Sequence, residues 1–194
     1  YDDSGVAERP EYLLSTDALT NEPEKMYRFM MDNMYFPDAE PNVIHDKMAA
    51  LTKQGRAKII TQNVDGLHKK AGSEATIEFH GSLYDIYAVT DGKEATLAEY
   101  MTNMRRSDGA LLRPGITLYG EIPFNVEEAA MWVNQADLIV IVGTSFVVYP
   151  FAGLLQYAKA GVPVLAINLE RIPAPDRVQQ IIGDATVFFD ELHI

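Results

Sequence analysis

Apolar positions along the chain follow two rhythms. Between residues 23 and 34 they recur as Met26, Phe29, Met30 and Met34, spaced like one face of an amphipathic helix, with Asn21 as its cap. A second helix is predicted over residues 41–53 through Ile44, Met48 and Leu51, with Gly55 as its stop. The segment YFPDAEPN between them reads as a turn. Residues 57–60, 136–142 and 162–167 show little polar alternation, and a helical stretch over residues 150–160 separates the latter two. Unalternated strands joined by helices predict a parallel sheet covered on both faces, so the fold class is α/β. Residues 76–79 are a further short β-like run, and ATVFFDEL is a last short strand or helix start. Residues 82–116, polar in the middle and β-like at the flanks, read as a small inserted lobe. The expected division is therefore a helical segment over 1–54, a Rossmann-like domain over 55–81 and 117–194, and the lobe over 82–116. The opening segment YDDSGVAERPEYLL reads as the middle of a loop.

Composition narrows the function. A formal charge of -12 excludes a general nucleic-acid binder, which neutralises phosphates with clustered Lys and Arg. With no cysteine there is no disulfide framework and no thiolate zinc site, which fits a reducing cytoplasm. The longest apolar run, near residues 138–142, is too short to span a bilayer, and no secretion signal is present, so no membrane partner is expected.

The candidate chemistry sits at strand ends, where open parallel sheets bind their ligands. TQNVDGLHKKAG places Gln62, Asn63 and Asp65 after one strand; GTS places Gly143, Thr144 and Ser145 after another; INLE places Asn168, Leu169 and Glu170 after a third. His80 ends residues 76–79 and is followed by Gly81. Taken singly, each signal is weak: GTS reads as a turn with a helix cap, His80 as a structural histidine, and Glu170 stands alone where dinucleotide-binding sheets often put an acid for ribose hydroxyls. No G-x-G-x-x-G or Walker sequence occurs, and no Ser, His and acid order argues for a hydrolase triad.

Together, TQNVDGLHKKAG, EFHGSLY, LLRPGITLYGE, GTSFVVYPFAG and INLE stand in the order and spacing of the sirtuin family, which this chain resembles from about Ala49 to Glu170. The resemblance implies an NAD-dependent protein-lysine deacylase of the transferase or hydrolase type, consuming NAD as co-substrate and releasing nicotinamide and O-acyl-ADP-ribose. Its partner would be an acylated protein or peptide lysine. On this sequence Gln62 would hold the nicotinamide ribose, Asn63 would order the reacting pocket and Asp65 would help fix the carboxamide. His80 would be the general base, a role suited to an imidazole whose ordinary pKa is about 6.5. Gly143, Thr144 and Ser145 would line the cofactor, with Asn168, Leu169 and Glu170 on its adenosine side. An extended peptide would pair with Tyr119, Gly120 and Glu121 on one side and Val147, Val148 and Tyr149 on the other. Its acyl-lysine would enter an apolar tunnel walled by Phe146 or Val148. ADP-ribosyl transfer or NAD hydrolysis, using the same ribose activation, and a non-catalytic NAD-binding module are the alternatives.

The sequence departs from the family twice. Sirtuins usually carry four cysteines holding a structural zinc in the small lobe; here there is no cysteine, so no zinc and no metal ligand is expected. The lobe should instead be held by Leu83, Tyr84, Tyr87, Leu97, Tyr100, Met101 and Leu111. The family's first strand, with its glycine-rich GAG loop and PDFR stretch, would precede Tyr1. Without it the sheet should fall into two halves with unpaired inner edges, so the 194 residues are expected to be part of a longer protein or to be completed by a separate segment.

Overall fold

A computed structural model describes residues 9–194; the part of the expected opening loop on residues 1–8 lies outside them. The chain begins with helices α1 Pro10–Leu13, α2 Thr16–Asn21, α3 Pro23–Asn33 and α4 Val43–Lys53. It continues through β1 Ile59–Thr61, α5 Leu67–Lys70, β2 Thr76–Glu78, β3 Gly81–Ala88, β4 Glu94–Ala95, α6 Leu97–Thr102 and β5 Leu112–Ile116. Then follow α7 Val126–Gln135, β6 Ile139–Val142, a 3-10 helix Ala152–Tyr157, β7 Val164–Asn168, β8 Val178–Ile182 and α8 Ala185–Glu191.

Two packing units result, the first holding residues up to Ala39, Asn63–Gly66 and His80–Phe124, the second Glu40–Gln62, Leu67–Phe79 and Asn125–Ile194. This differs from the division expected at residues 54, 82 and 116. The reason lies in α3: its Met26 and Met30 stripe is buried among Leu83, Ile86, Tyr100 and Leu112, so the first three helices share a core with the inserted segment. Helix α3 starts at Pro23, in its first turn, while the expected cap Asn21 is the last residue of α2.

The first unit carries an antiparallel sheet in the order β4-β3-β5. In the second unit all pairings are parallel, β1 with β2 and β6 with β7 with β8. Among the described residues these form two sheets, in which β1 and β6 each pair along one side only. Phe79, Ile77, Ala129 and Leu154 form one core there; Ile141, Val164, Ala166, Val178 and Phe146 form part of another. Helix α4 is entered through a reciprocal cap between Asn42 and His45, and it ends where Gly55 takes a φ of 67°. Several elements differ from the expected ones: α1 stands inside the segment expected to be a loop, with Pro10 opening it, and α5, α6, α7 and β8 were not anticipated. Helix α7 buries Ala129, with Val126, Ala130 and Val133 half-buried beside it, and β8 carries a Gln pair that breaks the apolar run. Gln180 is used structurally, its side-chain amide bonding both the amide and the carbonyl of Ile172 at 3.0 and 3.1 Å.

Candidate active site

In the second unit the polar strand ends are joined. The Asn168 Oδ1, at the carboxyl end of β7, accepts from the Thr144 amide at 2.8 Å. The Gln62 Nε2, just past β1, donates to the Thr144 Oγ1 at 2.9 Å, and the Phe146 amide donates to the same oxygen at 3.1 Å. Gly143 has a φ of 60° and open space where a Cβ would sit, and Phe146 is held at a φ of 57°. Thr144 therefore braces a left-handed loop from within, a local side-chain bond typical of Ser and Thr in turns. It does not cap the next helix, which begins only at Ala152.

Because the amide oxygen of Asn168 is committed to Thr144, its Nδ2 is the free end. That nitrogen is buried and has no protein partner, while the residue as a whole is 7% exposed. A buried donor left unpaired costs about 1–3 kcal/mol, so its presence beside an open glycine loop fits a ligand rich in acceptors, as NAD is. Ser145, Leu169 and Glu170 are exposed around these strand ends, and Leu169 is an apolar side chain 74% open to solvent.

The first unit holds Asn63, Asp65 and His80. Asn63 is exposed, and Asp65 and His80 are half-buried. The segment bearing Asn63 and Asp65 is tied to β3 by the Leu83 amide donating to the Val64 carbonyl at 2.9 Å. The His80 carbonyl accepts from the Thr117 amide at 2.9 Å, which fixes the backbone of the histidine. Gly81, with a φ of 79°, is obligatory: a Cβ there would lie 1.9 Å from the Gly115 carbonyl oxygen. The Thr117 Oγ1 is buried without a protein partner, and sequence reasoning passed it over.

The segment expected to bind peptide differs from an open strand. Leu118 to Glu121 form a turn closed by the Glu121 amide on the Leu118 carbonyl at 2.9 Å, with Gly120 at a φ of 99°. Tyr119 already pairs its backbone with α2's approach: its amide donates to Leu14 at 2.9 Å and its carbonyl accepts from Thr16 at 3.0 Å. Both backbone groups of Tyr119 are thus engaged within the chain. The Tyr119 ring is 56% exposed.

Glu121 is likewise spent on the scaffold. Its carboxylate is forked by Arg113 at 2.6 and 3.0 Å and accepts from the Leu118 amide at 2.8 Å. Arg113, another residue the sequence reading did not single out, also donates to the Ile116 and Pro114 carbonyls and lies over the Tyr87 ring. Burial alone would raise the Glu121 pKa, but the Arg113 bonds and the Leu118 amide outweigh it and hold the group below its usual range. In the second unit Val147, Val148 and Tyr149 are 57%, 41% and 73% exposed, an apolar surface available to a partner. Phe146 is buried in the core, and Phe151 packs edge-on to Phe79.

The lobe does not fit the zinc of the family. The chain has no cysteine, and among the described residues no group of three or more His, Asp or Glu could hold a metal ion. Of the side chains expected to hold the lobe, Leu83 and Tyr100 are buried, whereas Met101 and Tyr84 are 45% and 38% exposed. Among the described residues no helix is long and apolar enough to cross a membrane.

A profile of the Sir2 family matches residues 2–150. An NAD-dependent protein deacetylase of Lactiplantibacillus plantarum is 44% identical over 187 residues, covering 95% of this chain and 80% of that protein. One from Listeria monocytogenes serotype 4b is 45% identical, covering 94% of this chain and 81% of the relative. Among solved structures, a Sir2 complex with a p53 peptide and NAD+ superposes with a TM-score of 0.85 at 29% identity, covering 95% of this chain and 82% of that one. A second, holding an inhibitor, 2'-O-acetyl-ADP-ribose and a deacetylated p53 peptide, gives 0.84 at 30% identity over 96% of this chain and 85% of the other. Motif order, parallel strand ends and these likenesses agree, and the chain belongs to the Sir2 family.

Proposed function

We propose that this protein is an NAD-dependent protein-lysine deacylase, consuming NAD and releasing nicotinamide as it removes an acyl group from a lysine. The observation that carries the reading is the 44% identity to a deacetylase across 95% of the chain. All the expected catalytic and peptide-binding residues fall within the family match over residues 2–150; Asn168, Leu169 and Glu170 lie outside it and rest on their own geometry. The unpaired amide of Asn168 supports a role on the cofactor side.

In this reading NAD supplies a ribose carbon that becomes electrophilic as its bond to nicotinamide breaks, and the acyl carbonyl oxygen of the lysine attacks it. His80 in its neutral form takes the proton of a ribose hydroxyl, which then attacks the acyl carbon; water completes release of the free lysine and O-acyl-ADP-ribose. Gln62 and Asp65 orient ribose and carboxamide, and Asn63 orders the pocket. Val147, Val148 and Tyr149 offer the peptide its surface, and the target is an acylated lysine on a protein in the cytoplasm. Neither nucleic acid nor membrane is a partner.

The test is nicotinamide release with and without an acetyl-lysine peptide. Release that requires peptide and yields deacetylated lysine supports the reading. Release independent of peptide would favour NAD hydrolysis, and transfer of ADP-ribose to protein would favour the transferase. Replacing His80→Ala should remove deacylation while NAD affinity persists, because a base acts on the reaction more than on ground-state binding.

A further inference from the structure

The lobe lacks the means to bind zinc, yet its two turns are fastened to each other. One turn joins β3 to β4 and is closed by the Ala88 amide on the Lys93 carbonyl and the Gly92 amide on the Ala88 carbonyl, each at 2.9 Å. The other precedes β5, where the Gly109 amide donates to the Arg106 carbonyl at 2.8 Å and the Arg106 amide to Ala110 at 2.9 Å. Each turn presents one carboxylate, and each carboxylate is fixed to its own turn. Asp91 accepts from the Lys93 amide at 3.1 Å, and Asp108 from the Ala110 amide at 3.1 Å.

Arg106 lies between them. Its Nη2 donates to Asp91 at 2.8 Å and to Asp108 at 2.7 Å, its Nε reaches Asp108 at 3.0 Å, and its Nη1 reaches the second Asp91 oxygen at 3.4 Å. The planar fork thus engages both carboxylates at once, which a compact ammonium could not do. The arginine side chain is 22% exposed, against 31% and 56% for Asp91 and Asp108, so the cation is the most sheltered member. Lys93 adds a second positive charge 3.6 Å from Asp91.

We propose that the Arg106 guanidinium is the internal cation that fastens this lobe, drawing the β3–β4 turn and the turn before β5 together as a structural metal would. The chemistry is parallel: anionic side chains, each anchored by a backbone amide on its own turn, converge on one positive centre. The Arg106 bonds, helped by the Ala110 amide, hold the Asp108 pKa down to about 2, so the anion persists in acid. Isolated surface ion pairs contribute little, but a forked, partly sheltered network is the exception. Beside the clip, the Val89 amide donates to Leu111 at 2.8 Å and the Leu112 amide to Met104 at 2.9 Å, so opening the clip should be read at these amides.

The experiment is hydrogen exchange at Ala88, Val89 and Leu112 in the complete protein, in parent, Arg106→Gln, Asp91→Asn and the double variant. Each single change should speed exchange about five-fold, and the double variant should exceed neither by much, because both break one unit. Arg106→Lys should restore the rate only in part. A strong zinc chelator should leave exchange unchanged, and metal analysis should find far less than one zinc per chain. Unchanged exchange in Arg106→Gln, additive effects in the double variant, or a stoichiometric zinc whose removal opens the lobe would overturn the proposal.

Discussion

Replacing Glu121→Ala isolates the ion pair that shapes the turn at Gly120. It removes both carboxylate bonds to Arg113 and the acceptor of the Leu118 amide. The Arg113 side chain, 7% exposed, would keep the Ile116 and Pro114 carbonyls and the face of the Tyr87 ring as partners for its charge. Breaking a fully buried pair costs about 3–5 kcal/mol. Here the Glu121 side chain is 30% exposed, so water can reach the vacated end and the expected loss falls to about 2 kcal/mol. Urea unfolding of the complete protein measures it as a lowered midpoint at unchanged slope. The pair also has a pH signature. Because the folded Glu121 pKa is lowered, its contribution is full above the ordinary carboxyl value of 4.5 and is lost as pH falls through the lowered folded value. The gap between parent and Glu121→Gln should therefore close as the solution is acidified below that range. In the deacylation assay, the KM for peptide should rise more than the affinity for NAD changes. Variants within about 0.5 kcal/mol of the parent at neutral pH would refute the reasoning, since that is the range of an ordinary surface substitution.

Three further outcomes follow from the same geometry. Gly81→Ala forces a Cβ to within 1.9 Å of the Gly115 carbonyl oxygen, so β3 and β5 must part; thermal unfolding should show a loss above about 2 kcal/mol. Asn168→Leu removes the acceptor for the Thr144 amide and the unpaired donor together; calorimetry should find NAD binding weakened at least ten-fold, whereas unchanged binding would remove Asn168 from the cofactor side. Gly120→Val meets Thr16 Oγ1 at 2.8 Å and a φ of 99°; it should weaken peptide binding much more than NAD binding, and equal effects on both would place the peptide elsewhere.

Much of the chain was legible from local pattern. The Met26 and Met30 stripe, the Gly55 stop and the unalternated strands were readable because periodicity and turn chemistry act between residues a few positions apart. The order of QNVDG, His80, GTS and INLE was enough to point to the family. Helix α7 carries its own apolar spacing through Val126, Ala129, Ala130 and Val133, whereas β8 is masked by two glutamines, one of them engaged with Ile172. Other features had no local signature. That α1 to α3 share a core with the inserted segment depends on which apolar face Met30 meets, and its partner Tyr100 is 70 positions away. The inward turn of Glu121, expected to face a peptide, was decided by a buried arginine eight positions earlier. The orientation of the Asn168 amide was set by a backbone group 24 residues away, and the bridge between Asp91 and Arg106 spans 15. Hydrophobic rhythm identifies which residues are buried and in what kind of element; which polar group meets which depends on the folded path of the chain, because a hydrogen bond requires two atoms within about 3 Å and sequence separation places no limit on which two those are.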